Sequence, residues 1–465
     1  WRAVYPKPIA DFSGVDFRHE PIDFSGFTFS DGGRDVENGE FTSCVDFSHA
    51  SFGIGASFTD ASFGDLVSFV GASFGIEASF VGASFGVMAS FKGASFEGMP
   101  LFDSASFRAG ASFVGASFGD TARFEGASFG VGASFVGASF GVGASFKGAS
   151  FEDMTNFNGA SFEDMASFEG ASFGNGADFA ALSPKETEEL WRSIGLTGKK
   201  TVARKTKAEA SEMKSDAFKR IFFAGASFKG DASFQDRRFL DTTDFGMTKK
   251  DIAVLQPGGE KRVIPKGTLT RFFGVPNFHG CALHQNTSFD GAEFKAPPSP
   301  EAARAYRTLK LAFAQQHALR EEQRFFRLEM QAEAGTARFP RKQLFRLYEA
   351  CSDYGFSLRR PIGLWLITLV VLGALYGWQT APPFILNNGQ QMNWPVMLQW
   401  VQYTLINAVP LPGSELTLKE LRGPLFGSTA PSLWLTVLEM LHKTISFVSL
   451  FLVGLALRNL FKMKG

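Results

Sequence analysis

Between Phe52 and Phe179 the chain places 24 Phe residues at steps of 6 and 5 in strict alternation: Phe52, Phe58, Phe63, Phe69, Phe74 and onward to Phe168, Phe173, Phe179. A small residue, usually Ala, stands two before most of these Phe residues, and Ser usually lies between them. In an extended segment residues two apart point to one side and the residue between points to the other. Ala and Phe therefore go inward and Ser outward. Neither step matches a helical turn, and Gly at this density costs ~1 kcal/mol per site in a helix. The pattern predicts a β-solenoid in which Gly-containing spacers turn the corners and stacked coils bury a ladder of Phe. Phe113, Phe118, Phe124, Phe129, Phe135 and Phe140 are its expected core.

The 5-and-6 spacing fixes where the solenoid runs and where it is interrupted. It occupies 1–182, with less regular members at Phe12, Phe17, Phe24, Phe29, Phe41 and Phe47, and it returns over 220–296. A Lys- and Glu-rich insertion at 183–219 has helical spacing (Leu190, Ile194), and 247–275 reads as a loop or short hairpin. Ser299-Pro300-Glu301 is a helix start, with a cap, a Pro in the first turn and an acid at the positive end. From there a helical adaptor covers 299–358, as one helix to about Ala334 and a second over roughly Arg341 to Ser352.

The last stretch, 359–465, reads as a membrane domain. Ile362 to Trp378 carries no charge, enough for a span over about 361–378. A second span is expected over about 436–458. Between them, 394–410 is too short and too rich in Gln and Asn to cross, and reads as a re-entrant or interfacial helix. Arg359 and Arg360 precede the first span, and Arg458, Lys462 and Lys464 follow the second. Cytoplasmic loops collect Lys and Arg, so both termini and the solenoid are expected in the cytoplasm. Trp378, Trp394, Trp400 and Trp434 lie near the ends of the apolar runs, as interfacial aromatics do.

The Ala-Ser-Phe units resemble the pentapeptide-repeat family, whose unit is a small residue, a polar residue, a central Leu or Phe and two variable positions. The resemblance implies a right-handed quadrilateral β-helix. Every second unit here has a sixth residue, so the four-sided coil should hold 22 residues rather than 20. The tail resembles a membrane-anchored branch of that family. The elements that carry this are Phe325-Phe326-Arg327-Leu328-Glu329-Met330, Asp353-Tyr354-Gly355 before Arg360-Pro361, Tyr403 with Asn407-Ala408-Val409-Pro410, and Leu455-Ala456-Leu457-Arg458-Asn459. Members look like two-span channel proteins in outline.

Composition and charge sharpen the picture in two places. Phe occurs 54 times against 6 Tyr and 7 Trp, alongside 50 Gly, a bias that fits a repeat and not a globular enzyme. Residues 1–180 carry 22 acidic and 8 basic side chains, whereas the remainder carries 24 and 38. Some members of the resembled family mimic DNA and bind topoisomerases. The acids here are diluted among Ser, Gly and Val, so that reading ranks last and no nucleic-acid partner is expected.

Candidate chemistry is sparse. Three Cys lie far apart, and His279, Cys281 and His284 are the only cluster of metal-binding types, on a coil where neighbours project differently. No catalytic triad, carboxylate pair or phosphate loop can be argued, so neither an enzyme nor a cofactor is expected. The informative residues are Glu439, His442 and Lys443, at i, i+3 and i+4 on one helix. Ionisable groups at membrane depth face a bundle interior or a cavity. With Tyr403, Asn407 and Pro410 they form the candidate pore or interhelix set, with Glu439 and Lys443 expected to pair. The favoured reading is an oligomeric, channel-like inner-membrane protein in contact with lipid. The alternative is a membrane-tethered scaffold whose solenoid binds partner proteins.

Overall fold

The computed structural model describes residues 10–29, 45–193, 216–380, 393–409, 413–428 and 430–462. It divides into two compact units, Trp1–Pro297 with Arg304–Gln316, and Pro298–Ala303 with His317–Gly465.

The first unit is a parallel β-solenoid with four faces. Its strands are mostly two residues long, one Ser and one Phe, and each pairs with residues one coil away. Ser106–Phe107 lies between Ser84–Phe85 and Ser128–Phe129, a register of 22. The same register links Ser117 to Ser139 on a second face, Ser112 to Ser134 on a third and Ser145 to Ser167 on the fourth. Backbone groups are paired both ways. The Phe113 N–H donates to the Ser134 carbonyl (2.7 Å), and the Ser112 N–H to the Ala89 carbonyl (2.9 Å).

Inside, the rings form columns. Phe113 stacks on Phe135 at 4.8 Å and 3°, and meets Phe124 edge-on at 6.1 Å and 86°. Offset-stacked and edge-to-face contacts are the two arrangements that the ring quadrupole favours. The early members join the ladder too, with Phe12 stacked on Phe47 and Phe29 on Phe63. Phe41 lies outside the described residues.

The interruptions are docked on the solenoid. Strands Ile252–Leu255 and Lys261–Ile264 form an antiparallel hairpin, which lies over a column of glycines spaced by one coil. A Cβ at Gly126, Gly148 or Gly170 would meet Leu255, Val254 or Ile264. Helix α1 (Pro184–Ser193) uses another column, with Leu190 against Gly137. The rest of that insertion, from 194 to 215, lies outside the described residues.

Where the chain returns, Arg237 occupies an inward position that Ala fills elsewhere. It is fully buried. It donates to the carbonyls of Phe179 (2.6 Å) and Phe157 (3.3 Å), and it lies over the Phe218 ring at 4.4 Å. Phe218 is tilted against Phe162 and Phe239 by 53° and 59°, so the stack on this face breaks where the guanidinium enters. Burial lowers the Arg237 pKa to about 9.

Helix α2 (Pro300–Gln315) closes the final coil. Phe313 lies edge-on to Phe289, Tyr306 lies edge-on to Phe294, and Gln316 donates to the Leu283 carbonyl. Ser299 caps α2, accepting from the Ala302 N–H at 3.0 Å. The single helix expected to about Ala334 is two helices. His317 takes a left-handed conformation (φ 57°), and α3 (Leu319–Thr336) starts beyond it, where the chain passes between units.

The second unit continues with α4 (Arg341–Ser352), α5 (Arg359–Trp378), α6 (Trp394–Ala408), α7 (Ser414–Phe426) and α8 (Leu433–Lys462). Asn393 accepts from the Val396 N–H, with Pro395 at the first turn of α6. α7 is an element that the sequence reading did not anticipate.

Candidate functional site in the helical unit

α5 and α8 are 20 and 30 residues long and apolar enough to cross a membrane. They run antiparallel. Asn459 near the end of α8 donates to the Gly355 carbonyl just before α5 (2.9 Å), and the Tyr376 ring near the end of α5 lies 5.7 Å from His442. One end of the pair therefore collects Arg359, Arg360 and Arg458. The Lys462 side chain and Lys464 lie outside the described residues.

α6 and α7 are shorter, 15 and 13 residues, or roughly 22 and 20 Å at the helical rise. α6 runs antiparallel to α5. Trp400 donates to the Gly373 carbonyl (2.7 Å), and Trp365 donates to the Ala408 carbonyl (2.9 Å). Trp400 is thus packed inside the unit, whereas Trp378, Trp394 and Trp434 are exposed at helix ends. α7 runs antiparallel to α8, with Glu415 beside Lys443 and Arg422 beside Glu439. Together α6 and α7 form a pair of half-length helices lodged against α5 and α8.

The polar residues of this unit converge between the four helices. Glu439 takes both prongs of the Arg422 guanidinium, at 3.0 and 2.5 Å, and also accepts from the Tyr403 hydroxyl. Leu418, Leu421, Leu425 and Leu438 pack in the same core. The expected Glu439–Lys443 pair does not form. Lys443 reaches Glu415 on α7, and the planar fork of Arg422 matches two carboxylate oxygens as an ammonium does not.

His442 and Asn407 are fully buried, as is Tyr376. Asn407 donates from Nδ2 to the Tyr403 carbonyl (3.0 Å). Its Oδ1 has no hydrogen-bond partner among the described residues. The same is true of both His442 nitrogens, the Tyr376 hydroxyl and the hydroxyls of Ser446 and Ser449. His442, Ser446 and Ser449 follow Glu439 at three, seven and ten residues, one stripe of α8. Pro410 lies outside the described residues.

Sequence reasoning missed Arg422, Glu415 and the serine stripe. The available signal was an amphipathic run with Leu at 416, 418, 421 and 425, broken in appearance by Gly423-Pro424. Among the described residues no group of three or more His, Cys, Asp or Glu is placed to hold a metal. Cys281 is turned away from any such role, donating to the Phe234 carbonyl.

The fold defines the class of the first unit, a repeat solenoid. Residues 102–150 match the family model for pentapeptide repeats (9 copies), a stretch wholly within the Phe ladder. No curated protein and no solved structure matches the chain.

Proposed function

We propose that this pentapeptide-repeat protein is built into a bacterial inner membrane and forms an oligomeric, channel-like assembly, with its repeats and both termini in the cytoplasm. α5 and α8 cross the bilayer, and α6 with α7 re-enters from the Trp378 side. The observation that carries the reading is the order of long helix, two paired half-length helices and long helix, with charged and polar groups enclosed between them. An anchor needs only apolar spans. Buried ionisable groups at membrane depth are costly and mark function, and helix ends at that depth are tolerated only where protein or water covers them. The outward faces are apolar, with Ile367, Val370, Phe447 and Phe451 each more than 60 % exposed. Four helices of this kind do not enclose a pore alone, so the reading requires several copies.

One observation favours the scaffold alternative. Arg422 and Glu439 compensate each other inside a single subunit, which leaves the membrane unit self-sufficient and the repeats free to bind a partner. The mass of the detergent-solubilised particle separates the two, since an oligomer that passes ions in vesicles supports the channel and a monomer selects the scaffold. Topology is tested independently by an impermeant thiol reagent. A cysteine at Ser428, just beyond α7 on the Trp378 side, should react from outside the cell, and one at Gly465 should not.

A further inference from the structure

A cavity of about 550 Å³ opens where α5 begins and α8 ends. Phe326, Tyr348, Tyr354 and Phe356 form its aromatic walls, Leu455 an aliphatic one, and Arg458 brings a guanidinium to it. The walls are set by contacts of their own. Phe326 lies edge-on to Phe356 at 5.9 Å, Tyr348 edge-on to Tyr354 at 5.6 Å, and Asn459 is tied to Gly355. Burial raises the Tyr354 hydroxyl to about 12, so that wall stays neutral at physiological pH.

Three features point to one ligand chemistry. Arg458 is exposed, and no carboxylate among the described residues pairs with it; guanidinium is the group best suited to a phosphate. The four aromatic rings that line the cavity offer faces of the kind that favour ammonium groups. Leu455, which lines the cavity, shares a face of α8 with exposed Phe451 one turn away, so an acyl chain leaving along that face would meet hydrocarbon-compatible surface.

We infer that this cavity binds the headgroup of a zwitterionic phospholipid, with phosphate at Arg458 and ammonium against the aromatic rings. The inference rests on the membrane reading above, and it places the lipid at the cytoplasmic end of the spans.

The test uses the full chain purified from bacterial membranes. Bound phospholipid is counted by mass spectrometry after exchange into lipid-free detergent. The parent should retain phosphatidylethanolamine, and added inorganic phosphate or phosphatidylglycerol should not displace it. Arg458→Ala should retain about fivefold less, the loss of one basic contact to a headgroup. Leu455→Trp, which fills the cavity, should retain less as well, whereas Arg192→Ala on α1 should behave as the parent. Equal retention in parent and both cavity variants overturns the inference, as does displacement by inorganic phosphate or preference for phosphatidylglycerol. Fractionation of the same cells keeps the two readings apart. Protein that stays in the membrane without retaining lipid overturns the cavity alone, and protein in the soluble fraction overturns the membrane reading with it.

Discussion

Arg422 and Glu439, 17 residues apart on α7 and α8, form a two-pronged ion pair whose side chains are only 11 % and 5 % exposed. The contact decides the character of the helical unit. A buried pair is weak evidence of net stability, because desolvation offsets much of the attraction, yet removing one partner strands the other. Lys443, one turn further along α8, is in a different situation. Its partner Glu415 is 67 % exposed, so that pair is solvated and expendable.

Arg422→Met alone should therefore lower stability by about 3–5 kcal/mol, and Glu439→Gln alone by a similar amount. The double variant should recover most of the loss. Lys443→Met should cost under about 1 kcal/mol. Thermal unfolding of the parent and the four variants in one detergent checks this. Additive losses in the double variant would show that the two groups are not coupled.

The contrast between the two units shows what a sequence can carry. The solenoid was legible because one rule, Phe every 5 or 6 residues, acts locally and repeats. The 22-residue register follows from summing the steps around four faces. Arg237 escaped that reading because it breaks the rule. A charged residue sits where Ala belongs, and only the stacking of coils brings carbonyls from 58 and 80 residues away to satisfy it. In the helical unit, hydropathy revealed α5 and α8, and polarity revealed α6. The pairing of Glu439 was hidden because its partner lies on α7, a helix that contains Pro424 and has exposed Leu416 beside buried Leu418. Side-chain spacing on a single helix nominated Lys443, and tertiary packing chose Arg422.

Phe113 stacks on Phe91 below and Phe135 above, at 4.9 and 4.8 Å. Phe113→Ala should destabilise the repeat unit by about 3–5 kcal/mol, since stacked coils on both sides prevent the site from collapsing. Phe113→Leu keeps most of the volume and should cost under about 1.5 kcal/mol. Urea unfolding followed by far-ultraviolet circular dichroism measures both. A Leu variant as damaged as the Ala variant would mean that ring stacking, rather than filled volume, holds the coil.

Acid should weaken the solenoid, with a sign that follows from its carboxylates. The Arg220 guanidinium beside Asp164 holds that carboxyl below its usual value, and the Asn175 backbone N–H does the same for Asp153. Depressed acids contribute stability that is present above the unfolded value of about 3.9 and lost as pH falls through the folded one. Asp103 runs the other way, because burial raises it. Unfolding between pH 7 and pH 3 should therefore show a smaller acid loss in Asp164→Asn and a larger one in Asp103→Asn. Identical slopes in all three proteins would remove these carboxylates as the cause.

Gly170 and Ile264 test whether the hairpin is held by the glycine column beneath it. Gly170 has φ +65°, and a Cβ there would sit 2.3 Å from Ile264 Cδ1. Gly170→Ala thus meets two separate obstacles. The left-handed backbone costs a non-Gly residue roughly 1–2 kcal/mol, and the methyl collides with the isoleucine tip. Ile264→Val removes that tip, Cδ1. In the parent it should cost about 0.5–1.5 kcal/mol, the ordinary loss of one buried methyl. In the Gly170→Ala background it should cost nothing or stabilise, because it makes room for the new methyl while the backbone strain remains. Hydrogen exchange at Ile252–Leu255 and Lys261–Ile264 reports the docking directly. Exchange should rise in Gly170→Ala and fall back partway in the double variant. Independent, additive effects at the two positions would mean that the hairpin does not rest on this column.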